Sequence, residues 1–318
     1  MPFHHSHRLF SCPQPRLMGF LLHSRHPPMP TPTSSGKNNR ETFMLYLTQR
    51  HINNHTRFIL LDSSGDLHSG TQMRPPEEVA LITPADLARL PRTPMPTSRY
   101  FPLLNASSVT VYTGALDASV YVKKQALLGA NSTRQKPEWY KKMLTRELLI
   151  ADALLAHPHA NLCAYRGALI HPVSNRVIGL VYKRYTLDLH QFVRRKYLVS
   201  ASQVHTIVEG IAAGMKHLHS LGIVHCDLRP VNIFLTLGPP APIVGGGVGL
   251  GEVVEEVVLG DFDACVRVGE RIDGKLVAEE FRHKGFGFGM EAKVEVDTFA
   301  LEEVEKWLWR KLGPEARV

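Results

Sequence analysis

No two of the four cysteines, Cys12, Cys163, Cys226 and Cys265, stand in a CxxC arrangement. This excludes CxxC pairing and makes a reducing setting, cytoplasmic or nuclear, the expectation. No apolar run approaches the ~18 residues that a bilayer-spanning helix needs, so no membrane partner is expected. The stretch Gly238–Gly251, GPPAPIVGGGVGLG, holds neither GxGxxG nor GxxxxGK[ST] and reads as a flexible loop, not a phosphate cradle. Acidic residues are missing before Glu41, and residues 1–40 are rich in His, Pro and Ser. A disordered basic tail is expected there, with His4, His5 and His7 as part of it and not a metal site. Arg8, Arg16 and Arg25 without acids also fit a mitochondrial transit peptide.

The remaining composition is that of a globular protein: 318 residues, 44% hydrophobic, formal charge +8. That charge permits acidic partners but names none, and no specific nucleic-acid partner is expected. The cluster Arg194-Arg195-Lys196 reads as a solvated surface.

The chemistry sits in HCDLRPVN, His225–Asn232, which sets Asp227 five residues before Asn232, and in Asp261-Phe262-Asp263 downstream. Phosphoryl transfer asks little covalent work of a protein; it needs a carboxylate facing the acceptor hydroxyl and hard oxygen ligands for a metal that bridges the phosphates. Pro230 stiffens the turn, so Asp227 and Asn232 emerge from the two ends of one loop. Asp261 closes the apolar stretch Val257–Leu259 and offers the second oxygen ligand. Arg229 is placed to meet a phosphate oxygen. Ahead of the loop, Val204, Ile207, Val208, Ile211, Met215 and Leu218 recur at helical spacing.

On these motifs the chain resembles the eukaryotic protein-kinase superfamily from about Pro102 to about Leu312. HCDLRPVN stands for HRDLKPxN, and GDFDAC for the start of the DFG segment. The combination with KGFGFG and VDTFALEEVEKWL resembles small divergent fungal kinase-like proteins with a DFD motif. The resemblance implies an α+β, two-lobed protein-kinase-like fold with a truncated C-lobe and a partly disordered N-terminal extension. The expected organisation is a tail (1–40), a small extension with short strands at Phe43–Leu47 and Phe58–Leu61 (41–98), a kinase-like N-lobe (99–185) and a shortened C-lobe (186–318). It further implies Asp227 as catalytic base, Arg229 on phosphate, and Asn232 and Asp261 as ligands of Mg. Lys123, on the strand SVYVKK (119–124), would hold the ATP phosphates and pair with Glu147 on a helix over Pro137–Ala156, docked by Met143, Leu144, Ile150, Leu154 and Leu155. Val111, Lys183 and Tyr185 would line the nucleotide, with adenine read by backbone groups at 183–185. Asp297 would accept hydrogen bonds from the catalytic-loop backbone.

Three departures from the kinase pattern bear on function. Leu104, Ala106 and Val109 occupy the places of the glycines of the phosphate-covering loop, which weakens the expected grip on nucleotide. Tyr121 shares a strand face with Lys123 and would crowd adenine; assigning the phosphate lysine to Lys124 would put Val122 there instead. Asp263 replaces the Gly of DFG, and Cys226 replaces the Arg of HRD, removing the usual partner of a phosphorylated activation loop, so no such switch is expected. The reading is transfer of the ATP γ-phosphoryl group to a protein Ser/Thr hydroxyl. Its alternatives are a pseudokinase acting as a binding or scaffold module and a small-molecule phosphotransferase of the aminoglycoside or choline kinase type.

Overall fold

A computed structural model describes residues 43–50, 56–73, 78–79, 82–83, 86, 89–103, 109–127, 136–195, 200–240, 252–274 and 278–312. Positions 104–108, where the glycine-rich loop would stand, the tail 1–40, Lys196 and most of the Gly238–Gly251 stretch lie outside the described residues.

The first layer is an antiparallel sheet of β1 (Phe43–Arg50), β2 (Thr56–Asp62), β3 (Leu67–Gln72) and β4 (Thr93–Met95), in that order. The expected two short strands are thus longer and have two more beside them. β3 and β4 read LHSGTQ and TPM; with Ser, Gly and Pro among so few residues they carry little strand propensity, and pairing with β2 makes them strands. β2 is buried on both faces: Phe58 and Leu60 turn to Val79, while Ile59 and Leu61 join the main core. Tyr46 fastens this sheet to its neighbour, its hydroxyl donating to Ile178 O at 2.8 Å and accepting from Gln125 N at 2.9 Å.

A second sheet, in the order β5 (Val120–Lys123), β7 (Val177–Lys183), β6 (Tyr165–Ile170), carries Lys123. Against it lies α2 (Pro137–Ala156), after the short α1 (Thr97–Tyr100). Pro137 opens α2 where a missing N–H costs nothing. Met143, Leu144, Leu148 and Leu154 are buried, and Ile150 packs against the core, but Leu155 is 38% exposed. The apolar stripe of α2 therefore stops one residue short of the expected one.

The remaining elements surround α4 (Ala201–Ser220): β8 (Leu187–Asp188), α3 (Leu189–Arg194), β9 (Ile223–Val224), β10 (Ile233–Pro240), β11 (Glu252–Leu259), β12 (Val266–Arg267) and α5 (Val294–Leu312). α4 starts at a capping box in which Ser200 and Gln203 bond each other's backbone N–H, worth about 1 kcal/mol. Val204, Ile207, Ile211, Met215 and Leu218 are buried along it, each contributing about 1.5–3 kcal/mol. Gly214 lets the helix close on the turn after α2, since a Cβ there would fall 2.4 Å from Asn161 O. The β10–β11 hairpin reaches Pro240 and back from Glu252, so strand pairing enters the start of the stretch expected as a loop and resumes directly after it. Among the described residues no helix is long and apolar enough to cross a membrane.

Candidate phosphotransfer site

Three chain segments converge, and each is held by the packing of its own element. β11 runs into Gly260, whose N–H donates to Asn232 O at 2.9 Å, so the end of the strand and the end of the catalytic loop are laced together. Asp261 comes next, in the left-handed region at φ 62°, which Asp tolerates better than most residues. The turn after α2 also grips this strand: Leu259 N donates to Asn161 O and Cys163 N to Leu259 O, both at 2.9 Å.

The loop itself is anchored from below. Asp297, fully buried in the first turn of α5, accepts from His225 N at 2.7 Å, Cys226 N at 2.9 Å and His219 Nε2 at 2.8 Å. Cys226 has φ 62°, a costly conformation for a residue with a Cβ, and the bond from its N–H to Asp297 helps hold it there. His225 donates through Nε2 to Gly260 O at 3.0 Å and accepts at Nδ1 from Asp227 N at 3.2 Å. Asn232 Nδ2 donates to Asp227 O at 2.8 Å and to Asp227 Oδ2 at 3.0 Å. These bonds use the Asn232 amide nitrogen and turn its side-chain oxygen to other work. Arg229 Nε lies 3.6 Å from Asp227 Oδ1.

From the sheet side, Lys123 Nζ donates to Glu147 Oε1 at 2.7 Å, contacts Asp261 Oδ1, and lies 3.5 Å from Asp263 Oδ2. Tyr182 OH donates to the same Glu147 oxygen at 3.1 Å. Lys124 points elsewhere, its Nζ 5.3 Å from the centre of the Tyr46 ring, and burial lowers its pKa to about 8. Between the two neighbouring lysines, the structure sets Lys123 against Glu147. Burial raises the Glu147 carboxyl to about 7, with the pull of Lys123 opposing it; Lys123, with Asp261, Asp263 and Glu147 beside it, stays protonated well above its ordinary value despite its own burial.

The carboxylate oxygens of Glu147, Asp261 and Asp263 lie within 4.8 Å of one another. Hard oxygen donors at this spacing, with Asn232 tied to the residue before Asp261 through the Gly260 bond, fit a divalent cation of the Mg type. In the sequence Asp263 reads only as a missing glycine; its place beside Lys123 comes from the fold.

The expected nucleotide-lining residues spread more widely. Val111 forms a parallel bridge with Ala168 and is 37% exposed. The Lys183 ammonium is turned to Glu256, at 2.7 and 2.8 Å from its two oxygens, and the backbone N–H groups of Lys183 and Arg184 donate to Ala164 O and Ser119 O. Tyr185 OH accepts from Ala164 N at 3.0 Å. Tyr121 does share the face of Lys123, half exposed and beside Arg184.

Past Asp263 the chain pairs β12 with β9, then folds on itself: Ile272 N donates to Met290 O and Ala292 N to Glu270 O. The KGFGFG segment belongs to this folded strip. Within it Asp273 contacts Lys142 Nζ and Arg146 Nη2, both on α2, a link that no local spacing announces.

Mitogen-activated protein kinase 6 of Arabidopsis thaliana is 32% identical to this chain over 85 residues, 26% of this chain and 22% of that protein. Mitogen-activated protein kinase 4 of Oryza sativa subsp. japonica is 33% identical over 85 residues, 26% and 23% of the two. The chain thus spans less than a quarter of the length of these curated relatives. Among solved structures, the yeast RNA Pol II CTD kinase CTDK-1 complex is similar with TM-score 0.43 and 12% identity, over 89% of this chain and 66% of that one. The profile of the protein kinase domain matches residues 106–272, more than half of the sequence, from ahead of the strand of Lys123 to past the DFD motif. The chain belongs to the protein kinase domain family.

Proposed function

We propose that this protein kinase transfers the γ-phosphoryl group of ATP to a Ser or Thr hydroxyl of a protein, with Asp227 as the base. The observation that carries this reading is the meeting of Lys123, Glu147 and Asp261 at one point, with Asp227 and Asn232 bonded to each other on the adjoining loop. Asp227 accepts the hydroxyl proton and orients the acceptor; Arg229, beside it, offsets charge on the transferring group. Asn232 and Asp261 would hold Mg²⁺, which would supply positive charge to offset that of the phosphates. Lys123 orients the phosphates, and Glu147 orients Lys123. The Ser/Thr acceptor is supported by Arg229 in the position of the catalytic-loop lysine.

The test is transfer of labelled phosphate from Mg-ATP to protein and metabolite acceptors, with Asp227→Asn as control. Labelled Ser or Thr, lost in the variant, is expected; labelling only of small molecules replaces the protein acceptor. A second reading, a kinase-derived binding module, draws on Lys123 being shared among three carboxylates and on Tyr121 standing on its face. No thermal shift with Mg-ATP and no transfer would establish that second reading.

A further inference from the structure

The segment between the DFD motif and α5 is tied to α2 through one side chain. Asp273 Oδ2 meets Lys142 Nζ and its Oδ1 meets Arg146 Nη2. Lys142 and Arg146 are one helical turn apart, on the same face of α2. Arg146 is mostly buried, with a side-chain exposure of 16%, which spares its ion pair much of the screening that makes surface pairs weak. The two cations hold the Asp273 carboxyl below its ordinary pKa against partial burial. The fit is close: a Cβ on Gly274 would lie 3.1 Å from both Arg146 Nη1 and Met143 Sδ.

Arg146 immediately precedes Glu147, which carries Lys123. The strip that bears Asp273 is fixed at its other end to the catalytic loop, since Val266 pairs with Val224 and Val268 N donates to Gly222 O at 2.9 Å. Asp273 therefore joins the loop of Asp227 to the helix of Glu147 by a route separate from the turn at Asn161.

We propose that Asp273 is a positioning residue: its carboxylate, held by Lys142 and Arg146, sets α2 so that Glu147 meets Lys123, and supplies from the chain itself the negative charge that a phosphorylated segment would supply. The proposal rests on the phosphotransfer reading of the site. A permanent carboxylate makes the assembled site independent of phosphorylation of this segment. Cys226, where a phosphate-binding Arg would stand, is buried and asks for no anion.

The experiment measures kcat, KM for ATP and amide hydrogen exchange along α2 in the full chain, for Asp273→Asn, Asp273→Glu, Lys142→Ala with Arg146→Ala, and the combination of Asp273→Asn with that pair. Expected are an increase in α2 exchange and a drop in kcat of about tenfold or more in Asp273→Asn, partial recovery in Asp273→Glu, and no further loss when Asp273→Asn is added to the Lys142/Arg146 pair. Phosphatase treatment of the wild-type chain should change nothing. Unaltered α2 exchange in Asp273→Asn, additive losses, or inactivation by phosphatase would each overturn the proposal. If Asp273→Asn does not fold, Arg146→Lys and the phosphatase arm carry the same decision. A wild-type chain without transfer activity fails the phosphotransfer reading alone, because α2 exchange still decides whether Asp273 sets the helix.

Discussion

On the catalytic-loop side of the site, Asp227, Asn232 and Asp297 are all buried, and the loop backbone is held by Asp297 and His225 at 2.7–3.2 Å. On the sheet side, three carboxylates gather on one lysine, and Tyr121 is 49% exposed on the face of Lys123. One side is fixed by buried hydrogen bonds although Cys226 and Arg229 stand where the kinase loop has Arg and Lys; the other has Asp263 in place of a glycine and a half-exposed tyrosine ring on the face of Lys123. A base needs fixed geometry, which buried hydrogen bonds supply. Nucleotide binding is a matter of net attraction, which tolerates more substitution.

Four changes would break or sharpen that contrast. The largest effect is expected from Asp227→Asn, a loss of transfer of about 10²–10⁴-fold at unchanged melting temperature, read by labelled-phosphate assay; wild-type transfer would remove Asp227 from the chemistry. Asp297→Ala should come next, costing roughly 3 kcal/mol of stability because two buried backbone donors and the partly buried His219 lose their acceptor; denaturant titration measures it, and a loss under about 1 kcal/mol would mean that the loop holds itself. Asp263→Gly removes one of the three carboxylates that fit a divalent cation and should weaken Mg-ATP by about tenfold in a fluorescence titration. Tighter binding there would show that Asp263 competes with the triphosphate and is no ligand.

The smallest effect is a pH dependence. The folded pKa of Glu147 stands above its unfolded value, about 7 against 4.5, so its contribution to stability is complete below about pH 4.5 and is lost as pH rises towards 7. Glu147→Gln should flatten the melting temperature between those values by a few degrees relative to the wild type. Parallel profiles would place the proton elsewhere in the cluster.

Much of the catalytic-loop side is readable from the order of residues, because local rules govern it: the stripe from Val204 to Leu218 has a helical period, and Asp227 and Asn232 share a short loop. The sheet side is harder to read. Lys123 ends β5 and Lys124 follows it, and only the contact of one with Glu147 on α2 and of the other with the Tyr46 ring tells them apart. β3 and β4 escape a sequence reading because partner strands, not their own residues, make them strands. Asp273 meets Lys142 and Arg146 across more than 120 positions, a distance over which no periodicity speaks.

Tyr46 has a mechanical consequence. Its hydroxyl spans the carbonyl of Ile178 and the amide of Gln125, two positions past Lys123, so the leading sheet has a hand on the strand that carries the Lys123 ammonium. A force that peels β1 away would slacken that strand from behind, without anything entering the site.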